Sequence, residues 1–137
     1  WAFWDFLPTA AELAGAKLPA GFKPDGFSLV SFLKGGPAPT REYFYWELHE
    51  QMPIQAVRFG NWKAVKPRHD RAIELYDLTA DPAEAKNIAA QNPQLVAKAE
   101  ALMKAAHTDD PNWPLTGRAA KRNADQAVNK KKAAKSE

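Results

Sequence analysis

A run of three polar residues, His49, Glu50 and Gln51, is the stretch of the sequence best suited to contact a ligand. It follows an aromatic segment that alternates like a strand, and Glu47 lies just before it. Imidazole, carboxylate and amide groups at the end of a strand can hydrogen-bond the hydroxyls of a sugar, and His49 could hydrogen-bond either a sugar or a sulfate at the rim of a pocket. The alternative for His49 is a polar residue that only ends the strand, and the sequence leaves both interpretations open.

A pair of cationic residues, Arg58 and Lys63, is predicted to face each other across a hairpin, where together they could bind an anion. Like charges directly opposite each other are unfavourable, so a carboxylate or a bound anion should lie nearby. We expect a carboxylate, from Glu47 or Glu74 on a neighbouring strand. An internal charge network is therefore favoured over a ligand site.

Most residue types that carry catalysis are missing or scattered. The chain contains no cysteine, which excludes disulfides, thiolate zinc sites and a cysteine nucleophile. Its three histidines, His49, His69 and His107, lie in different elements, so we expect exposed loop or helix-end positions and not a metal site. There is no Gly-rich phosphate loop, no H-E-x-x-H and no G-x-S-x-G. The sequence therefore predicts no catalytic and no metal-binding residue.

The composition indicates one small folded domain with a basic end. Hydrophobic residues make up 45% of the 137 positions and aromatic residues 11%, enough for a modest core. Residues 117–137 carry seven Lys or Arg and two acidic residues, which leaves a net charge of −2 for the remainder of this +3 chain. We interpret that end as a solvated, disordered tail. No apolar run approaches the roughly 20 residues of a membrane span, and neither nucleic acid nor a membrane is an expected partner.

Three strands can be placed before the middle of the chain. The segment REYFYWELHE alternates with period two and predicts a strand. The residues expected on its core face are Phe44, Trp46 and Leu48. Two further strands are joined by Gly60-Asn61, a strong hairpin signal, and this turn pairs Phe59 with Trp62.

A fourth strand, AIELYDL, is followed by two helix-start signals. At the first, Asp81 can cap, Pro82 takes the first helical position and Glu84 completes a capping box. At the second, apolar residues repeat at helical spacing over roughly 93–106. That helix should lie across the sheet.

The predicted fold class is α+β: a small four-stranded antiparallel sheet with a covering C-terminal helix, preceded by a helix and a loop. The preceding helix begins near Asp5, which can cap it, and ends near Gly15. Proline and glycine punctuation places a boundary near residue 38. The predicted domains are therefore 1–38, 39–107 and the basic tail 108–137.

In this order the elements resemble the C-terminal part of the sulfatases, the arylsulfatase-like members of the alkaline-phosphatase superfamily. WDFLPTAAELAGAKLP followed by DGFSLVSFLKG is similar to the helix and loop that close the family's large α/β catalytic domain. QAVRFGNWKAV is similar to the hairpin of its small C-terminal sheet, and ELYDLTADPAEAKNIA to the passage from that sheet to the last helix. The resemblance covers residues 4 to about 106.

The resemblance implies a parent enzyme that hydrolyses sulfate esters of a carbohydrate or an aryl alcohol. Its cofactors would be calcium and a formylglycine made from Cys or Ser in a C/S-x-P-x-R motif. In the family these residues lie upstream of this region, and no cysteine or serine of this chain stands in that motif, so no catalytic or metal residue carries over. We therefore expect the chain to be inactive alone, with residues 1–38 as the end of the catalytic domain.

By the same resemblance, the strand-end loop with His49, Glu50 and Gln51 forms part of the substrate cleft. The implied partners are the missing catalytic domain and a sulfated small molecule or glycan, and the implied location is periplasmic or secreted. Two other functions stay open. The chain could be an independent module that binds anions or sulfated glycans through Arg58, Lys63 and the basic tail, or a purely structural subdomain that supports the catalytic domain.

Overall fold

A computed structural model describes residues 1–50 and 52–116. The chain separates into two compact units, Trp1–Glu42 and a second unit from Tyr43 onward. Gln51 and residues 117–137 of the predicted tail 108–137 lie outside the described residues. None of the helices in the described part of the chain has the length and apolar character that a membrane crossing requires.

The first unit is organised around a buried carboxylate. A 3-10 turn over Phe3–Asp5 leads into helix α1, Phe6–Leu13, and helix α2 spans Val30–Leu33. Asp5 is fully buried and accepts hydrogen bonds from the backbone N–H groups of Ala2 at 2.7 Å and Phe27 at 3.2 Å. It also forms an ion pair with Arg41. The prediction that the Asp5 side chain caps α1 is therefore wrong, because these other donors take its oxygens.

The second unit is the predicted four-stranded antiparallel sheet with a helix across it. Its strands follow one another in the order β1-β2-β3-β4. They span Phe44–Leu48, Ile54–Phe59, Trp62–Lys66 and Glu74–Asp77. A 3-10 turn, Ala89–Gln91, precedes helix α3, Pro93–Ala106. The α+β fold class is confirmed.

The hairpin between β2 and β3 has the predicted register. Phe59 pairs with Trp62 and Arg58 with Lys63. Gly60 has a positive φ of 56°, a conformation that glycine adopts without a steric penalty. The two-residue turn therefore fixes which side chains of β2 and β3 share a face.

The core lies between the sheet and α3. Its fully or nearly fully buried members are Val57, Phe59, Ala64, Ile73, Leu75, Ala99 and Met103. Because Tyr45 pairs with Val57, Val57 with Ala64 and Ala64 with Leu75, these four residues form one row on the face that α3 covers.

The prediction that Phe44, Trp46 and Leu48 form the core face of β1 is wrong. The alternation is correct, but the face is reversed: Trp46 is 42% exposed and Leu48 50% exposed. Tyr43 and Tyr45 pack against the core instead. The cause is the pairing with β2, because the face of β1 is set by the row that contains Val57 and not by the hydrophobicity of β1 alone.

The capping box predicted at Asp81 is also wrong. Residues 81–88 contain a turn at 82–83 and no helix, and the Asp81 carboxylate accepts a hydrogen bond at 2.8 Å from the N–H of Lys86. Glu84 has a positive φ of 56° and does not enter a helix. Its carboxylate binds the Lys63 ammonium at 2.6 Å, so the acidic residue pairs with the interior strand β3 and does not start a helix.

Candidate functional site

The three predicted substrate-binding residues lie directly after β1, where they are placed differently. His49 is largely enclosed, with its Nε2 against a carboxylate oxygen of Glu47. Its ring lies against that of Trp113 in a T-shaped arrangement, with ring centroids 5.7 Å apart and planes at 62°. Glu50 is exposed, and Gln51 lies outside the described residues.

Glu47 is the centre of a network of hydrogen bonds. Its carboxylate accepts hydrogen bonds from the Tyr45 hydroxyl and His49, and it lies 2.8 Å from the Nδ1 of His107. Gln55 donates an amide hydrogen to the Tyr45 oxygen at 2.8 Å. We refer to these residues, together with Asp109, as the Glu47 cluster.

The imidazole of His107 lies between two carboxylates. Its Nδ1 contacts Glu47, and its Nε2 lies 3.1 Å from a carboxylate oxygen of Asp109. A ring that donates from both nitrogens is the protonated imidazolium. Burial lowers the pKa of His107, but the hydrogen bonds to Glu47 and Asp109 outweigh burial, and the pKa lies above its ordinary value.

Burial opposes the charged form of Glu47 and of Tyr45 as well. It raises the pKa of Glu47, but the hydrogen bonds from Tyr45, His49 and His107 outweigh burial and hold the pKa below its ordinary value. Burial and the neighbouring Glu47 carboxylate raise the pKa of Tyr45, against the donation from Gln55. Glu47 is therefore ionised and Tyr45 neutral over the physiological range.

This arrangement is suited to holding structure in place more than to acid–base catalysis. The oxygens of Glu47 already receive three donors, and the Tyr45 hydroxyl donates to Glu47. A general base needs a free lone pair directed at the proton it removes. The Glu47 cluster joins the end of β1 to the end of α3 through an ion pair and two supporting hydrogen bonds.

The alternation of β1 and the end of α3 together bring these residues into one cluster. Period two places Tyr45, Glu47 and His49 on the same face of β1, and Glu47 pairs with Gln55 across the sheet. Helix α3 crosses that face, and His107 is its C-terminal cap residue. The helix therefore ends over the polar end of the strand.

His107 was missed by the sequence reasoning. The expectation of an exposed helix-end histidine is wrong, because its side chain is 12% exposed. The available signal was its position one residue beyond a helix predicted to cross the sheet, together with Glu47 in step with Tyr45 on β1.

Arg58 and Lys63 pair across the hairpin as predicted. The carboxylate expected nearby is present, but it belongs to Glu84 of the following turn and not to Glu47 or Glu74. Glu47 binds the two histidines on the other face, and Glu74 accepts a hydrogen bond at 2.8 Å from the Tyr76 hydroxyl. The charge of Lys63 is therefore balanced within the protein.

The described part of the chain contains no set of side chains that could hold a metal ion. Within residues 1–50 and 52–116, no group of three or more His, Asp or Glu side chains could hold a metal ion. His69 is exposed in the loop between β3 and β4. A formylglycine precursor motif is absent from the sequence. The described residues therefore do not fit a calcium site, and no residue of the sequence stands in a formylglycine motif.

Comparison with known proteins returns sulfatases. No protein-family model matches the chain. It is 29% identical over 119 residues to an N-acetylgalactosamine-6-O-sulfatase of Bacteroides thetaiotaomicron, covering 76% of this chain and 23% of the relative. It is 36% identical over 113 residues to a choline-sulfatase of Rhizobium meliloti, covering 77% and 22%. Human arylsulfatase A is 38% identical over 97 residues, covering 67% and 18%.

Solved structures agree with these relatives. A 2-O GAG sulfatase superposes with a TM-score of 0.64 at 31% identity, covering 73% of this chain and 23% of that one. A protein in complex with its substrate D-glucosamine-2-N,6-O-disulfate superposes with a TM-score of 0.61 at 27% identity, covering 73% and 22%. The chain spans about a fifth of the length of the relatives it matches, and the matched part is their C-terminal portion.

Proposed function

Because this chain belongs to the sulfatase family and matches its C-terminal portion, we propose that the whole protein hydrolyses sulfate esters. The observation that carries the proposal is similarity over most of the chain to a choline-sulfatase and to arylsulfatase A, together with the same fold in a 2-O GAG sulfatase. The chain itself supplies the C-terminal sheet and its covering helix.

The substrate we propose is a sulfated carbohydrate, with an aryl sulfate as the alternative. The support comes from relatives named for sulfated sugars, among them an N-acetylgalactosamine-6-O-sulfatase and a Delta 4,5-hexuronate-2-O-sulfatase. A structural relative was solved with a disulfated glucosamine. An exported location, periplasmic or secreted, is part of the same proposal.

The residues of this chain would bind and orient substrate and would not break the ester bond. A calcium ion and a formylglycine would supply the bond-breaking chemistry that the family resemblance implies, and the residues that hold the ion and form the formylglycine would come from other parts of the whole protein. We therefore expect the isolated chain to release no sulfate.

His49, Glu50 and Gln51 are the residues we propose at the substrate. The Glu47 cluster supports this for His49, because the carboxylate holds Nε2 and so fixes which nitrogen, Nδ1, a ligand can reach. Contact with the ring of Trp113 restricts the imidazole further. A side chain whose rotamer is held in this way loses little conformational freedom when it binds.

Steady-state kinetics of the full-length protein test the proposal. Sulfate release should be detectable from N-acetylgalactosamine 6-sulfate or 4-nitrophenyl sulfate, and neither ester should be hydrolysed if the family activity has been lost. His49→Ala and Glu50→Gln should raise KM for the sugar sulfate by about threefold to tenfold. Glu100→Gln, a matched change at an exposed carboxylate of α3, should leave KM unchanged.

A structural role is the second candidate, and the Glu47 cluster favours it. If residues 43–116 only support the catalytic domain, His49→Ala lowers the melting temperature and leaves KM and substrate preference unchanged. The independent anion-binding module gains less support, because Lys63 is already paired with Glu84.

A further inference from the structure

The segment that follows α3, residues 107–116, returns to the end of β1, and we refer to it as the strap. Its first residue, His107, forms an ion pair with Glu47 of β1 at 2.8 Å. Its aromatic residue, Trp113, lies against the ring of His49, with ring centroids 5.7 Å apart. The strap therefore contacts two side chains that share one face of β1.

The end of the strap reaches another part of the sheet. Leu115 lines a cleft of about 240 Å³ together with Gln55 and Lys66. These two residues pair with each other where β2 begins and β3 ends. The strap is therefore held at its start, in its middle and at its end.

The backbone of the strap favours a fixed position for Trp113. Pro111 and Pro114 lie on either side of it, and each proline ring fixes its own φ. The residue before a proline is restricted as well, and Trp113 is such a residue. Its N–H donates to the carbonyl oxygen of Asp110 at 3.0 Å, and the N–H of Asn112 donates to the Asp110 carboxylate at 2.7 Å. Ordering the strap therefore costs less conformational entropy than ordering a segment without prolines.

The strap supplies the second of two contacts that hold the His49 imidazole. Glu47 binds the ring at Nε2, and a contact at one atom leaves the ring able to pivot about it. The second torsion of a histidine side chain has broad minima, so its own preference does not stop that motion. The T-shaped contact with Trp113 restrains the plane of the ring. The two contacts together set the position of Nδ1, the nitrogen that a ligand can reach.

We propose that Trp113 is a positioning residue, and that the strap holds the His49 ring in the orientation in which Nδ1 meets the substrate. The inference rests on the proposed function, because it concerns the same site. Trp46 is the matched control: it lies on the opposite face of β1 and is 42% exposed, against 43% for Trp113. Both side chains are partly exposed, so both alanine variants should fold.

NMR spectra of the 137-residue chain test the strap without any enzymatic activity. Nuclear Overhauser effects should connect the ring protons of Trp113 and His49, because a T-shaped pair brings the edge of one ring close to the other. Trp113→Ala should shift the ring-proton resonances of His49, whereas Trp46→Ala should leave them in place. Absent Overhauser effects, or equal shifts in the two variants, would overturn the strap.

Steady-state kinetics of the full-length protein test the positioning role. Trp113→Ala should raise KM for N-acetylgalactosamine 6-sulfate about twofold to fivefold and leave kcat unchanged, because the strap affects binding and not the bond-breaking step. Trp113→Phe keeps a ring at the contact and should restore most of the loss. Trp46→Ala should leave KM unchanged, and a rise equal to that of Trp113→Ala would contradict the proposal.

The double variant His49→Ala/Trp113→Ala distinguishes positioning from direct contact with the substrate. If Trp113 acts through His49, the double variant has the KM of His49→Ala alone. A further rise in KM would mean that Trp113 contacts the substrate itself, which would overturn the positioning role. If the full-length protein releases no sulfate, the proposed function fails and the positioning role with it, whereas the Overhauser effects still support or overturn the strap itself.

Discussion

Replacing Glu47 by glutamine should destabilise the second unit more than any other single change to a polar residue of the sheet. The substitution keeps the shape of the side chain and removes its charge. Glu47 accepts three hydrogen bonds, two of them from histidines, and its side chain is 18% exposed. A hydrogen bond to a charged group contributes about 1.5 to 3 kcal/mol.

The expected loss in the free energy of unfolding is about 2 to 3 kcal/mol near pH 5.5. This loss corresponds to one hydrogen bond to a charged group. The other hydrogen bonds of Glu47 contribute less to it, because the glutamine oxygen can still accept from one neighbour. Urea unfolding, followed through the backbone amides of Val57 and Leu75, measures the second unit alone. Glu100→Gln on α3 is the matched control and should change the free energy by less than about 0.5 kcal/mol.

The pH dependence identifies the ion pair within this loss. The pKa of His107 is raised in the folded protein, so its contribution is complete below the ordinary value of 6.5 and disappears as the pH rises through the raised pKa. The pKa of Glu47 is lowered, so its contribution is complete above the ordinary value of 4.5 and disappears as the pH falls through the lowered pKa. The pair therefore stabilises most between these two values.

A double-mutant cycle with His107→Gln measures that pair directly. The coupling free energy between Glu47 and His107 should be about 1 to 2 kcal/mol near pH 5.5 and fall towards zero near pH 9. A coupling that is absent at the lower pH, or that does not change between the two, would refute the ion pair as the main contact between β1 and the end of α3.

Three further changes probe the rest of the chain. Asp5→Ala should lower the free energy of unfolding of the first unit by about 3 to 5 kcal/mol, measured by urea, because it removes the buried carboxylate that pairs with Arg41 and accepts from two backbone N–H groups. Glu84→Gly should be more stable than Glu84→Ala by about 0.5 to 1 kcal/mol in thermal unfolding. Both variants lose the ion pair with Lys63, but only alanine keeps a Cβ at a residue with positive φ. Val57→Ala should cost about 2 to 3 kcal/mol in urea, because the side chain is fully buried in the core; a cost below about 1 kcal/mol would mean that the cavity closes.

The parts of the fold that the sequence predicts are those set by local signals. The Gly60-Asn61 turn determines the β2–β3 register, and the start of α3 at Pro93 follows from a proline at the first helical position. Two predictions that depended on distant partners were wrong. The face of β1 is fixed by its pairing with β2. The position of the Glu84 carboxylate is fixed by its ion pair with Lys63, 21 positions earlier in the chain.

The Glu47 cluster was only partly predictable for the same reason. Alternation along β1 correctly places Tyr45, Glu47 and His49 on one face. Nothing local indicates that His107, 60 residues later, returns to that face. The contact depends on the angle at which α3 crosses the sheet, and that angle is set by the packing of the whole core.

The Glu47 cluster bears on both interpretations of His49, as a residue that binds a ligand and as a polar residue that only ends β1. A histidine that only ends a strand needs no fixed nitrogen, whereas one that binds a ligand gains from having its ring held. Glu47 and Trp113 hold the ring from two sides, so Glu47→Gln should affect both properties if the ligand role is real. In the full-length protein, a higher KM for a sugar sulfate at a temperature well below unfolding would show that Glu47 positions His49 for substrate. Lower stability with an unchanged KM would assign the cluster to structure alone.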